Sequence, residues 1–258
     1  LDWRTTTRML GLFDPRPMFR IVGPVLRPLR YLTYVVPLLL LAALMVVYQY
    51  SDLVVEDLAA LGIEKTLVEH LLFVFVTVHV VTTLTAGLVA DAFNVSVEKV
   101  GVTLTMWVIP RWVLKMNGAD RLNRTQTMWL HGSTLIARMV MFSIGVLIWF
   151  NARDTDSGFA TFGLLLGLAC AAGLILESGN PLIKANGYYL LSAYLNEPHL
   201  RGKAFAALLN KLKGGVYRAA DSNLLALYAL ASATYVVFLL LLVGLAVQGE
   251  ALLRYTDA

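Results

Sequence analysis

The residues of this chain best suited to bind a metal or act as a nucleophile are four histidines and one cysteine. Their spacing works against both roles. A zinc hydrolase needs about three protein ligands, an open coordination position and a base. His70, His79, His131 and His199 have no ligand-like spacing, and no H-E-x-x-H occurs in the chain. Cys170 stands alone inside an apolar run, so it can form neither a disulfide framework nor a thiolate cluster. No metal and no cofactor is expected. Arg138 and His79 are of another kind, because each falls near the middle of a long apolar stretch, where an ionisable group is costly in lipid. Such a group is either part of a polar relay or cavity, or a buried structural pair contacting a backbone carbonyl or a partner subunit. Glu69 and His70 lie at the edge of their stretch, within reach of water, and His131, just before Gly132, reads as structural.

The elements that hold these residues are membrane helices. Hydrophobic residues make up 58% of the chain and charged ones 15%, against about 25% charged in soluble domains. The mean hydropathy is +0.69. Five stretches reach the ~20 residues that cross the hydrocarbon core, at about 31–49, 67–90, 127–150, 159–178 and 222–247. The segments between them alternate in charge. Residues 1–30 carry six arginines, residues 51–66 are acidic, and residues 91–125 and 180–221 are basic. Short basic loops stay in the cytoplasm, which places the N-terminus inside and the C-terminus outside. The net charge of +4 then reflects cytoplasmic loops, and no nucleic acid is expected as a partner. No secretory signal opens the chain. Since it starts at Leu1, it is expected to be processed or part of something longer. The organisation is a cytoplasmic basic segment over 1–30, a membrane domain over 31–248, and a periplasmic end over 249–258 that continues if the full protein is longer.

Two further segments should lie at the membrane surface. Residues 99–116 are apolar and β-branched, with Pro110 and two tryptophans, and read as an interfacial hairpin. Residues 202–214 place Phe205, Leu208, Leu209 and Leu212 on one helical face flanked by lysines, the pattern of an interfacial amphipathic helix. Within the fourth span, Gly163, Gly167 and Ala171 recur every four residues, which lets a neighbouring helix of the same or another subunit approach closely.

The most specific local pattern is Gly179-Asn180-Pro181-Leu182-Ile183-Lys184-Ala185-Asn186-Gly187-Tyr188-Tyr189-Leu190-Leu191. It breaks a helix at the end of a span, and irregular backbone at that depth is tolerated only where protein or a cavity surrounds it. The segment resembles the N-P-x-x-x-x-D-G-Y-Y-L-L segment of the site-2-protease-like zinc metalloproteases, above all the branch fused to secretion-type periplasmic adaptor domains. The continuation through Arg201, the stretch GLVADAFNVSVEKVG at 87–101 and the N-terminal LFDPRPMFR are similar to that branch as well, so the resemblance covers roughly residues 12–210. It implies an all-α integral membrane fold of about five transmembrane helices, with the hairpin and the amphipathic helix, on a site-2-protease-like core.

The departures from that family fall on its active residues. The family binds zinc through two histidines of H-E-x-x-H and the aspartate of the D-G pair. Here the resemblance puts Thr82, Thr83 and Ala86 at the first motif, or His79, Val80 and Thr83 if a gap is allowed, and Asn186 at the aspartate. Asn180, Pro181 and Gly187 keep the family pattern. Neutral Thr and Asn oxygens are poor zinc ligands. The expectation is therefore a non-catalytic pseudoprotease in the bacterial inner membrane. It would serve as an accessory or structural subunit, with membrane lipids and other membrane proteins as partners. The alternatives are the membrane anchor of an export system with a periplasmic adaptor domain and, least of all, an active intramembrane protease. The emptied site, lined by Thr82, Thr83 and Asn186, could also serve as a polar cavity for a lipid, quinone or pigment.

Overall fold

The computed structural model describes residues 10–13, 31–62, 65–105, 109–155, 157–214 and 222–256. A short strand β1 (Leu10–Phe13) precedes helices α1 (Leu32–Gln49), α2 (Ser51–Ala59) and α3 (Lys65–Ala92). Strands β2 (Ser96–Thr105) and β3 (Ile109–Asn117) follow, then α4 (Arg124–Ala152) and α5 (Ser157–Ala172). A π-helical turn over Gly173–Ser178 ends that span, and α6 (Asn186–Tyr194), α7 (Leu200–Leu212) and α8 (Ser222–Thr256) complete the chain. Four helical stretches are long and apolar enough to cross a membrane: Lys65–Ala92, Arg124–Ala152, Gly158–Ser178 and Asn223–Leu241. The bent pair α1–α2 passes the same test only when its two helices are taken together, which brings the number to between four and five. The molecule is a mostly helical, multi-pass membrane protein.

Each of the five expected spans coincides with one of these helices. The segment expected to be a loop after the first span differs. The chain turns by 74° at Tyr50 and runs on as α2. With 18 residues, α1 is about 27 Å long at 1.5 Å per residue, close to the ~30 Å of the hydrocarbon core. The last helix also runs past its expected end, to Thr256.

The centre of the bundle is α4, which packs against α1, α3, α5 and α6. A capping box starts it, with Asn123 Oδ1 accepting from the Gln126 amide and Gln126 Oε1 from the Asn123 amide. Its buried hydroxyls are spent inside the helix. Ser133, Thr134 and Ser143 donate to the Leu130, His131 and Met139 carbonyls at 2.9, 2.7 and 2.9 Å, which lets polar side chains sit among apolar ones. Val74 and Val78 of α3, Met141 of α4, and Leu165, Leu166 and Cys170 of α5 form the middle of the core.

At the α4–α5 contact the backbones nearly touch. A Cβ on Gly145 would lie 2.6 Å from the Gly167 nitrogen, and one on Gly163 would lie 2.6 Å from the Trp149 nitrogen. The small-residue stripe of the fourth span is thus spent on α4 of the same chain. Gly145 is the partner the sequence reading had not named, and Ala171 is half-buried further along.

One end of the bundle carries an antiparallel sheet in the order β1-β2-β3, paired from Ser96↔Asn117 to Thr105↔Ile109 across the hairpin. The expected hairpin therefore starts three residues earlier, at Ser96, and gains a third strand from the N-terminal segment. It is seated by Val95 and Val97, which pack with Ala90 of α3 and Leu130 of α4. The amphipathic helix forms over Leu200–Leu212. The buried residues of α7 are Leu200, Ala204 and Ala207, and α7 packs on α8. Leu209 and Leu212 stay exposed, while Phe205 and Leu208 are half-buried. Small alanines won the buried face because they allow close helix approach.

The opposite end is clamped by charge. Asp57 of α2 accepts from Trp149 Nε1 at 2.8 Å and from Arg153 Nε at 2.9 Å. The hydrogen bond from Arg153, helped by that from Trp149, holds the Asp57 carboxyl below its ordinary value of 3.8 despite partial burial. A depressed carboxylate stabilises the folded state above its unfolded value and loses that contribution as pH falls through the folded value. The clamp therefore contributes fully above the ordinary value of 3.8 and is released only as pH falls through the lower value of the folded protein. Tryptophan fluorescence of the detergent-solubilised protein should report the release of Trp149 on acidification, and Asp57→Asn should remove that transition.

Candidate functional site

Arg138 stands at the midpoint of α4, 14 residues from each end, about 21 Å along the axis either way. It is buried. The adjoining stretch of α5 makes room for it, since a Cβ on Gly173 would overlap the Arg138 guanidinium. The helix widens into its π turn at this residue. The turn brings Glu177 to Arg138, with Nη2 3.6 Å from Oε2. The two alternatives for Arg138 thus resolve into an ion pair within the chain. His79 belongs to the half-buried face of α3 and meets the Phe75 ring edge-on at 4.2 Å.

Beyond the π turn the backbone leaves helical form through Gly179–Ala185. Asn180 turns the chain locally: its Oδ1 accepts from the Leu182 amide at 2.8 Å and its Nδ2 donates to the Ile175 carbonyl at 3.4 Å. Pro181, lacking an N–H, removes one donor that would otherwise need a partner. The exposed carbonyls are closed from across the bundle by α8. Tyr228 Oη donates to the Pro181 carbonyl at 2.6 Å, Ser232 Oγ to Leu182 at 3.1 Å, and Tyr235 Oη to Leu176 at 3.0 Å. These three residues recur at i, i+4 and i+7, which is one face of a helix. Gly187 lets α6 start directly on the break, because a Cβ there would run into the Gly179 carbonyl. Asn180, Pro181 and Gly187 therefore all have structural work at one joint.

Asn186, the first residue of α6, lies beside His131, with Oδ1 3.2 Å from Nδ1. Tyr189, one turn on, stacks on the same imidazole at 4.8 Å and 19°. The positions that the resemblance assigns to the H-E-x-x-H motif are on α3. Thr82 donates to the Val78 and His79 carbonyls of its own helix at 2.7 and 3.2 Å. Ala86 is buried, and Val80 and Thr83 are half-buried on the same helix. Since α6 packs along α4, Asn186 meets α4's histidine. Among the described residues no three of His, Cys, Asp and Glu come together as a metal site.

Two open clefts lie at the ends of the bundle. One of about 320 Å³ is lined by Thr66, Leu67, His70 and Thr161. The other, of about 490 Å³ beside the sheet, is lined by Asn94, Ser96, Asn117, Arg121 and Gln126. Neither includes the zinc positions. Glu177, Gly173 and the Tyr228/Ser232/Tyr235 stripe were not singled out by sequence reasoning. The stripe had a visible signal, three hydroxyls at helical spacing inside a mostly apolar span.

Comparison with known proteins adds no relative: no family model, no curated protein and no solved structure matches the chain.

Proposed function

We propose that this chain is a non-catalytic membrane scaffold, a pseudoprotease of site-2-protease-like descent, acting as an accessory or structural subunit of a larger bacterial membrane complex. The observation that carries the reading is the state of the broken segment. Three hydroxyls from α8 close its carbonyls, and Asn186 is taken up by His131. A hydrolytic site keeps an open metal position and a base. Here the polar groups are spent on holding backbone, which suits a fixed joint. In this reading the sheet end faces the cytoplasm of an inner-membrane protein and α2 faces the periplasm, following the basic and acidic loops.

The test is extraction from native membranes in mild detergent. The expected result is a fixed-ratio complex with another membrane protein and no zinc by elemental analysis. Recovery of the chain only as a monomer, or with stoichiometric zinc and cleavage of membrane-helix substrates, would overturn the proposal.

A further inference from the structure

The cleft of about 490 Å³ beside the sheet opens where the chain leaves one span and enters the next. Its lining comes from the turn after α3, the first ladder pair of the hairpin and the first turn of α4. With 28 and 29 residues, α3 and α4 are about 42 and 44 Å long at 1.5 Å per residue. That matches the ~40–45 Å of a bilayer counted with its headgroups, so residues just beyond Ala92 and around Arg124 lie at headgroup level. Trp129, 46% exposed, marks the same boundary from the inner side. It lies five residues past Arg124, about 8 Å along the helix, where interfacial tryptophans collect. Among the residues that line the cleft, Arg121 carries the only charge. It is exposed and forms no ion pair with a described residue. Asn94, Ser96, Asn117 and Gln126 around it are neutral groups that both donate and accept hydrogen bonds.

We infer that this cleft binds an anionic glycerophospholipid with an uncharged, hydroxylated headgroup of the phosphatidylglycerol kind. The guanidinium of Arg121 takes the phosphate, the geometry to which arginine is best suited. The amide and hydroxyl side chains take the headgroup hydroxyls, which need a partner that can donate and accept. A choline or ethanolamine head would bring a second cation next to Arg121, and no carboxylate among the lining residues receives it. The source of the phosphate is a lipid because the cleft adjoins the ends of two spans. The inference stands apart from the accessory-subunit reading and holds whether or not a partner protein is present.

The test uses the full chain, delipidated in mild detergent and titrated with phosphatidylglycerol or phosphatidylcholine of the same acyl chains. Native mass spectrometry counts the lipids bound. The first phosphatidylglycerol should bind about tenfold more tightly than phosphatidylcholine, the scale of one hydrogen-bonded charge contact. Arg121→Gln should abolish that preference. So should Ser96→Phe, which fills the cleft and leaves the charge in place. Lys213→Gln removes an exposed cation outside the cleft and should leave the preference unchanged. Thermal unfolding identifies the variants that are folded, and Arg121, being exposed, can be replaced without disturbing the core. Equal binding of the two lipids overturns the inference, as does a preference that survives in Arg121→Gln or in a folded Ser96→Phe. An equal loss in Lys213→Gln overturns it too, by showing a general effect of surface charge. Glycerol phosphate separates the sources: displacement of the lipid by glycerol phosphate at matching concentration would make the ligand a soluble phosphate and overturn the lipid assignment.

Discussion

Glu177→Leu is expected to destabilise the isolated protein by about 3 kcal/mol, the lower part of the range for breaking a buried ion pair by removing one partner. The cost comes from Arg138, which stays buried at the centre of α4 with its counter-charge gone. The lower part of the range applies because the Glu177 side chain is half exposed, which weakens the pair in the native protein. Arg138→Met/Glu177→Leu should recover most of the loss, because two apolar side chains can replace a buried pair at little or no cost. Equilibrium unfolding of the four proteins of this cycle in one detergent gives the coupling directly. If the double variant is no more stable than Glu177→Leu, the pair is not what holds Arg138 in place.

Gly163→Ala should cost about as much, near 3 kcal/mol, the upper end for forcing extra volume into a packed interior. The added Cβ would meet the Trp149 nitrogen at 2.6 Å and the Gly145 carbonyl oxygen at 2.7 Å. Both are backbone atoms, so neither can yield without separating α4 from α5. Gly167→Ala is the control. There the closest atom is Val146 Cγ2 at 3.3 Å, a side chain that can shift, and the expected cost is about 1 kcal/mol. Thermal unfolding of the two variants side by side would show whether the stripe acts through backbone approach. Equal losses would mean that it does not.

These residues also show what the sequence could reveal. The spans were legible because a membrane demands about twenty apolar residues in a row, a requirement that needs no knowledge of neighbours. The glycines at 163 and 167 were legible as a pattern, but their partner was not, because Gly145 has no periodic companion in its own helix. Arg138 stood out as a charge in the middle of an apolar run. Glu177 did not, because a charge at the end of a span is ordinary. Only the antiparallel packing of α4 and α5 brings the two together across 39 positions (177 − 138). The bend at Tyr50 was hidden for a related reason. Asp52, Glu56 and Asp57 lower the hydropathy of that segment without lowering its helicity, so a helix looked like a loop. In the amphipathic segment, periodicity defined a face, yet it could not tell that a neighbouring helix would take the alanine side. The candidate site was the least legible. The sequence could not show that α6 packs on α4 and brings Asn186 to His131.

The hydroxyl stripe of α8 has a consequence for how the molecule is made. The carbonyls of Leu176, Pro181 and Leu182 find their donors on a helix about fifty residues further along the chain, at separations of 59, 47 and 50 positions. Until that helix has been synthesised, the break has no way to shed its cost in lipid. A nascent chain halted before Ser222 would hold its fourth span with an open seam facing the bilayer. Insertion is thus progressive for the first three spans and conditional for the fourth. In the finished chain the last helix shuts that seam.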